Sequence, residues 1–520
     1  MKRCNITRRR LLATTAAVGA AGSFLGFAGR ARAQDGSGGV LNIRGDNSPD
    51  ILDPGYMTGA LEMEVMKQIL PVLARYTRDG EGSVGWAPSW FAKRLEWRDD
   101  THIEFELEDF LTWSGDYGPV RASDVKYSFE RMKTTDWSGN FDAMDHVEVT
   151  GERTGVIVLN EPFAPFVMVT LATGTASVLC EQAMKDVGEK YTTEVPATCG
   201  PYTYELIPGQ RMNFNTDPTW EGPKPDFAEV VVHIIPEVKS AELAFEAGEI
   251  DCTEISPDAL ARYRADMPED AAITVAGWLQ YMWLGMNTEN PKLQDLKVRR
   301  AIQHAIDVDS IVQGAYSGAV EEAYGIIAPG LPGHRTDTKF YHYDPEKARQ
   351  LLAEAGVSDL HLTLRTLPLQ ERLLAAQIIQ ANLAAVGVDV EIIPVDSGPF
   401  WEMGVESKGD TWKDLELYLM RFGTQPDPWE ASQWFVSNQV GIWNWERWTS
   451  DEYDALYKEG MSTVDPEKRA EIYLKMQDIM EETGAYVWLT FEPEAFIHDD
   501  DIDIQSSPGG QLNYHLFEHL

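Results

Sequence analysis

Hydrophobic positions change rhythm partway along the chain. Before about residue 280 they come in strand-length bursts: Val40-Leu41-Asn42-Ile43, the alternating His102–Leu107, Val156–Leu159 and Val230–Ile235, with paired β segments expected over 84–110. One helix interrupts them, with Val125, Phe129 and Met132 on one face behind a cap at Ser123-Asp124. From Tyr281 helices and strands alternate. Val298, Ala301, Ile302, Ala305 and Ile306 form a helical stripe. Asp344-Pro345 opens a helix that Gly356 ends, and Leu362–Leu364 is a strand. Leu373–Val386 is a helix stopped at Gly387, Val388–Ile392 is the next strand, and Asp465-Pro466 caps a long helix through Met480. This β-α-β order predicts a parallel sheet covered by helices.

One apolar run fits neither rhythm. Leu11–Phe27 is rich in Ala and Gly, follows Arg8-Arg9-Arg10, and leads to Ala31-Arg32-Ala33. A basic start, a short apolar stretch and a small-x-small end make an export signal rather than a membrane anchor. The paired arginines resemble the twin-arginine pattern, against the alternative of an ordinary secretory signal with surplus charge. Cleavage near Ala33 would start the mature chain near Gln34, with a flexible linker over 34–39. Cys4 precedes the apolar run, which argues against a lipid-anchored cysteine, and no later stretch is apolar enough to span a bilayer. The expected location is the periplasm.

Composition narrows the partners. The 520 residues suffice for several folding units, and 43% hydrophobic content is that of a globular chain. A net charge of -39, more negative once the basic signal is removed, argues against nucleic acid or an anionic membrane surface. The cysteines after the signal, Cys180, Cys199 and Cys252, show neither a C-x-x-C pair nor zinc spacing. An oxidising compartment would let Cys180 and Cys199 close a loop, whereas the odd count favours buried thiols. There is no G-x-S-x-G and no H-E-x-x-H. Ser123–Lys126 fits S-x-x-K without its companion motifs, and the scattered histidines suggest no metal site. We expect no catalytic residue, no metal and no cofactor.

Several stretches in order resemble the family 5 extracellular solute-binding proteins of ABC importers, the dipeptide, oligopeptide and nickel type. They are Leu52-Asp53-Pro54, Trp86–Ala92, Arg121–Phe129, Cys199-Gly200-Pro201-Tyr202 and Ala247–Asp251, and above all Leu296–Asp307 and Tyr343–Gly356. The resemblance covers about 40–497. It implies an α/β fold: a two-lobed periplasmic binding protein (type II, cluster C-like) with an extra β-rich subdomain. Lobe I would comprise 40–64, 199–280 and 491–520, the insert 65–198, and lobe II 281–490. It further implies a monomer that captures a peptide, peptide-like or other small solute between the lobes and passes it to an inner-membrane permease. An exported hydrolase or a ligand-presenting sensor are the alternatives. Placing Cys199 at the start of a strand that returns to lobe I, the resemblance also implies a Cys180–Cys199 disulfide.

The same resemblance suggests the site. Tyr281–Asn287 matches the strand entering lobe II, with Trp283 where members place an aromatic at the ligand and Asn287 beyond it. Tyr56 and Thr58 follow the L-D-P motif on a loop expected to face the cleft. Met420–Pro428 matches the site strand x-W-x-A-D-Y-x-D-P, which puts Gly423 within it. There the chain departs from the family: Thr424 stands where peptide-binding members pair an Asp with the ligand amine, and Arg421 where Trp is usual. Arginine suits carboxylate or phosphate, so an anionic or hydroxyl-rich ligand is expected, walled by Trp283 and Trp443, unless Arg421 pairs with a nearby acid. Asp427 is read as a turn or cap.

Overall fold

The computed structural model describes residues 39–80, 82–188 and 190–520. The expected export signal and all of the linker before Gly39 lie outside them. A mixed sheet organises the rest. Beside the two-residue strand Glu321–Glu322, which pairs with the last of them, its strands in chain order are β1 (Val40–Gly45), β2 (Tyr202–Ile207), β3 (Arg211–Thr216), β4 (Glu229–Ile234), β5 (Cys252–Glu254), β6 (Ala271–Met286), β7 (Leu360–Thr366), β8 (Val388–Pro394), β9 (Leu417–Gly423) and β10 (Tyr486–Asp499). They lie side by side as β8-β7-β9-β6-β10-β5-β1-β4-β3-β2. β7, β8 and β9 run parallel to one another, as the β-α-β order predicted, but β6 joins β9 and β10 antiparallel.

Two large hydrophobic cores flank this sheet. One draws on residues from Leu279 to Phe491. The other combines Leu41–Val232 with chain-terminal residues such as Phe496, Tyr514 and Phe517. The four-stranded antiparallel sheet Ala92–Asp99, His102–Leu107, Thr154–Leu159 and Met144–Val149 shares this second core. Only β6 and β10 run through both halves, and they change character where the cores part. The stretch Tyr281–Met286 is fully buried between β9 and β10, as befits a strand covered on both faces. Just before it the pairing slips twice, between Val275 and Gly277 and between Gly277 and Gln280, so β6 carries extra residues opposite Glu492–Ala495. Such bulges bend a ladder and leave backbone groups unpaired. Here the Leu279 carbonyl accepts from Thr424 N–H at 3.0 Å, and the Ala276 carbonyl accepts from the Arg78 guanidinium. Gly277 is required at the bend, because a Cβ there would lie 2.1 Å from the Pro508 carbonyl oxygen.

The local signals mostly formed the elements they predict. Asp344 and Asp465 accept from N–H groups in the first turns of helices Pro345–Glu354 and Pro466–Glu482, both with Pro at the start. Gly356 and Gly387 take positive φ just past their helices. The helix expected to be capped at Ser123-Asp124 begins earlier, at Ala122. Asp124 acts from the first turn, accepting from Arg121 N–H at 2.9 Å. Several matched motifs prove to be structural. Asp53 of the L-D-P motif is buried and paired with Arg131 at 2.6 Å. Arg299 of the Leu296–Asp307 motif donates to the carbonyls of Leu293, Gln294 and Thr483.

The implied disulfide is not formed: Cys180, Cys199 and Cys252 are free and buried. Cys180 heads helix Glu181–Val187 with its sulfur toward the Gln182 and Ala183 N–H groups, whereas the Cys199 sulfur faces the Thr112 N–H. Burial pushes the Cys199 thiol up to about 12.

Asp427 caps helix Pro428–Ser432 through Trp429 N–H and takes both terminal nitrogens of buried Arg469, at 2.7 and 3.0 Å. Removing one partner strands a buried charge. Asp427→Asn should therefore lower unfolding free energy by about 3–5 kcal/mol. Equilibrium urea unfolding reads this directly, and a loss under 1 kcal/mol would contradict the assigned role.

Candidate functional site

The bend in β6 opens onto a cleft of adjoining concavities. Its middle section, about 290 Å³, is lined by Gln280, Gly423, Thr424, Glu430, Glu494 and Gln511, with Tyr76 of the hairpin Ala74–Arg78/Val84–Pro88 on one side. Through Glu494 and Gln511 it meets a section of about 200 Å³ beside Arg44, Asp46, Glu64 and Glu254. Through Gln280 and Gly423 it meets one of about 400 Å³ walled by Trp401, Arg421, Phe422, Trp434 and Trp443. The parallel strands explain the location. β7, β8 and β9 all end on this side at Thr366, Pro394 and Gly423, and crevices beyond the carboxyl ends of parallel strands are common binding places. The hairpin reaches across the cleft, with Val84 N–H donating to the Gly330 carbonyl at 2.8 Å, and the loop after strand Thr154–Leu159 adds Phe163, edge-on to Trp429 at 5.0 Å.

Acidic groups dominate the lining. Asp46, Glu64, Glu254, Glu430 and Glu494 face Arg44 and Arg421, and both guanidiniums are engaged. Arg44 pairs with Glu254 at 3.2 Å, and Arg421 pairs with Glu492 at 2.5 Å. Burial, with the Asp427 charge adding to it, pushes the Glu430 carboxyl up to about 7. Burial also raises Glu494, whose carboxylate accepts from the Gln280 amide at 2.5 Å. Burial raises Glu64 to about 7, against the lowering effect of the Tyr514 hydroxyl. A positive ligand group would let these carboxyls ionise, so the cleft suits a cation better than an anion.

The expected site residues divide accordingly. Arg421, Gly423, Thr424 and Trp443 line the cleft. The anion expected at Arg421 is corrected, because Glu492 already neutralises that guanidinium. Trp283 does not reach the cleft: it is 1% exposed, packs edge-on behind Phe422 at 5.1 Å, and donates its indole N–H to buried Glu446 at 2.7 Å. Asn287 is buried and ties the Trp412 and Leu415 carbonyls at 2.9 and 3.1 Å. Tyr56 faces the insert helix instead, since the Asp53–Arg131 pair pins its turn there. Its ring lies 3.7 Å from the Lys190 ammonium and lines a separate concavity of about 430 Å³. Thr58 is exposed on the same loop, among none of these linings. The lining residues that motif reading missed are Glu430, Glu494, Trp401 and Trp434. Glu492 and Glu494 did carry a signal, as acids two apart inside the apolar run Tyr486–Ile497.

Among the described residues no helix is long and apolar enough to cross a membrane, and no group of three or more His, Cys, Asp or Glu is placed to hold a metal. The family described as bacterial extracellular solute-binding proteins, family 5, middle part, matches residues 87–443. The dipeptide-binding protein of Escherichia coli is 25% identical over 475 residues, covering 84% of this chain and 86% of that protein. HbpA2 of Haemophilus parasuis superposes with a TM-score of 0.79 at 21% identity, covering 93% of this chain and all of the other. The ABC transporter substrate-binding protein CtaP of Listeria monocytogenes superposes with a TM-score of 0.77 at 21% identity, covering 93% and 99%.

Glu446, behind Trp283, generates a pH prediction. Burial pushes its carboxyl up from 4.5 to about 7, so the folded protein holds a proton that the unfolded chain releases between those values. Its contribution to stability is present below pH 4.5 and is lost as pH rises to about 7. Glu446→Gln keeps an acceptor for Trp283 and removes that loss. Wild type and variant should melt alike at pH 4.5, and the variant should be about 2–3 kcal/mol more stable at pH 8. Glu64 and Glu430 carry slopes of the same sign, so the wild-type slope should shrink rather than vanish. Equal stability at pH 8 would contradict a protonated Glu446.

Proposed function

We propose, for a chain that belongs to the family 5 bacterial extracellular solute-binding proteins, that it captures an amine-bearing peptide or peptide-like solute and delivers it to the permease of an ABC importer. The observation that carries this reading is the pair of carboxyl groups, Glu430 and Glu494, on the wall that includes Thr424, while Arg421 is consumed by Glu492. The family's amine-pairing Asp is absent at position 424, and Glu430 and Glu494 supply the charge from neighbouring positions. Free dipeptides, rather than the anionic or hydroxyl-rich ligand expected from Arg421 and Thr424, become the expected ligands. The dipeptide-binding relative supports the peptide class.

Binding is non-covalent and the ligand leaves intact, a reading that membership of a binding-protein family supports. The lobes are 40–64 with 199–280 and 491–520, and 281–490, with 65–198 as the insert. The change of core near Leu279 and Phe491 supports that division. Closure about the β6–β10 bend would expel water and strengthen the ammonium–carboxylate contacts. The chain works as a monomer in the periplasm, exported by the twin-arginine route and cleaved near Ala33.

Two measurements test this reading. Calorimetry with a panel of unmodified dipeptides should show one-to-one binding that strengthens as pH rises from 6 to 8, because below about 7 Glu430 must first lose its proton. Glu430→Gln should weaken binding by about 1.5–3 kcal/mol and flatten the pH dependence. Binding that is unaffected by the variant, or that strengthens toward pH 6, would overturn the amine assignment. Replacing Arg8 and Arg9 together by Lys should retain precursor in the cytoplasm, and normal periplasmic yield would refute the twin-arginine route.

A further inference from the structure

The outer section of the cleft is built differently from the rest. Trp401, Phe422, Trp434 and Trp443 wall it, with Gln280 and Arg421 at its rim. All four rings are half-buried, whereas Trp113, Trp283, Trp445 and Trp488 are buried completely. The rings are set against one another. Phe422 meets Trp434 and Trp443 at 5.9 Å with interplanar angles of 63° and 84°, Trp434 meets Trp443 at 5.9 Å and 72°, and Trp401 lies parallel to Phe422 at 6.5 Å. They come from separate pieces of chain: Trp401 from the short helix Ser397–Glu402, Phe422 from the end of β9, and Trp434 and Trp443 from the turns that follow. Trp434 Nε1 is buried without a hydrogen-bond partner, so that ring is placed by its faces rather than by its polar atom. Half-buried rings gathered in one concavity leave an apolar patch that soluble proteins otherwise avoid.

We infer that this section is a selectivity pocket for one bulky aromatic side chain of the ligand whose amine is held at Glu430 and Glu494. The inference rests on the reading under Proposed function and adds the ligand's second feature. Continuity carries it: Gln280 and Gly423 line both the acidic middle section and the aromatic section, so one small molecule reaches both. The rim chemistry selects the occupant. Aromatic faces also hold methylated ammonium groups, but the described lining of this section includes no carboxylate to balance such a cation, Glu492 being engaged by Arg421. A neutral ring meets apolar walls and can stack on the guanidinium plane. The pocket volume of about 400 Å³ accommodates an indole or phenyl group with backbone attached.

Calorimetry with dialanine and alanyl-phenylalanine tests this on the full mature protein. Alanyl-phenylalanine should bind about tenfold or more tightly than dialanine, the scale expected for burying a phenyl group. In Trp443→Ala and, separately, Trp401→Ala, that advantage of alanyl-phenylalanine over dialanine should fall below about threefold. Equal affinity of the two dipeptides in the wild type, or an advantage that survives both variants, overturns the pocket and leaves the amine reading standing. Dialanine binding that ignores Glu430→Gln fails the amine reading instead. Tight binding of lactose, lost in Trp443→Ala, would assign the rings to a stacked sugar and overturn the side-chain pocket.

Discussion

The antiparallel pair β6–β10 is the constraint on which the rest of the structure depends. These two strands run through both cores, and every neighbouring strand in the sheet is placed by hydrogen bonding outward from them. Their pairing slips between Met282 and Trp283 and, more strongly, around Gly277–Gln280, and the cleft lies at the second of these places. The bulge exposes the Gln280 side chain, turns the Leu279 carbonyl toward Thr424, and brings Glu494 onto the cleft wall. One irregularity of register thus makes both the bend and the polar lining. The tight packing of Gly277 against Pro508 fixes where it occurs.

Charge then decides what the cleft can hold. Arginine in a site strand suggests an anion only while it is free. Arg421 spends its charge on Glu492, and Arg44 spends its own on Glu254. The remaining carboxyls are partly desolvated, which raises Glu430, Glu494 and Glu64, and this is a cost that a cationic ligand relieves. The strong net negative charge of the chain has little part in this, since most of it is solvated surface, whereas the cleft carboxyls act at contact distance.

What could be read from the sequence follows the range of the interaction responsible. Caps at Asp344 and Asp465 and stops at Gly356 and Gly387 depend on residues within a turn, and they stand where the pattern placed them. The parallel β7–β8 unit with its helix was equally legible. The bulge was not, because it depends on registering strands about 200 residues apart in sequence. Trp283 and Phe422 show the same limit within one site. They lie on paired strands, yet the ring in the family's ligand position is buried behind its neighbour. Motif reading found Gly423, Thr424 and Trp443 and missed Glu430 and Glu494, which reach the cleft from a following helix and from the distant return strand.

The central claim is reversible capture of an amine-bearing solute between the lobes. Untargeted mass spectrometry of small molecules released on unfolding the protein purified from its native host addresses it most directly. The account predicts one intact species or homologous series per protein, each bearing a free amine and enriched in aromatic residues. Released anions lacking an amine, or a substrate accompanied by its cleavage products, would contradict it.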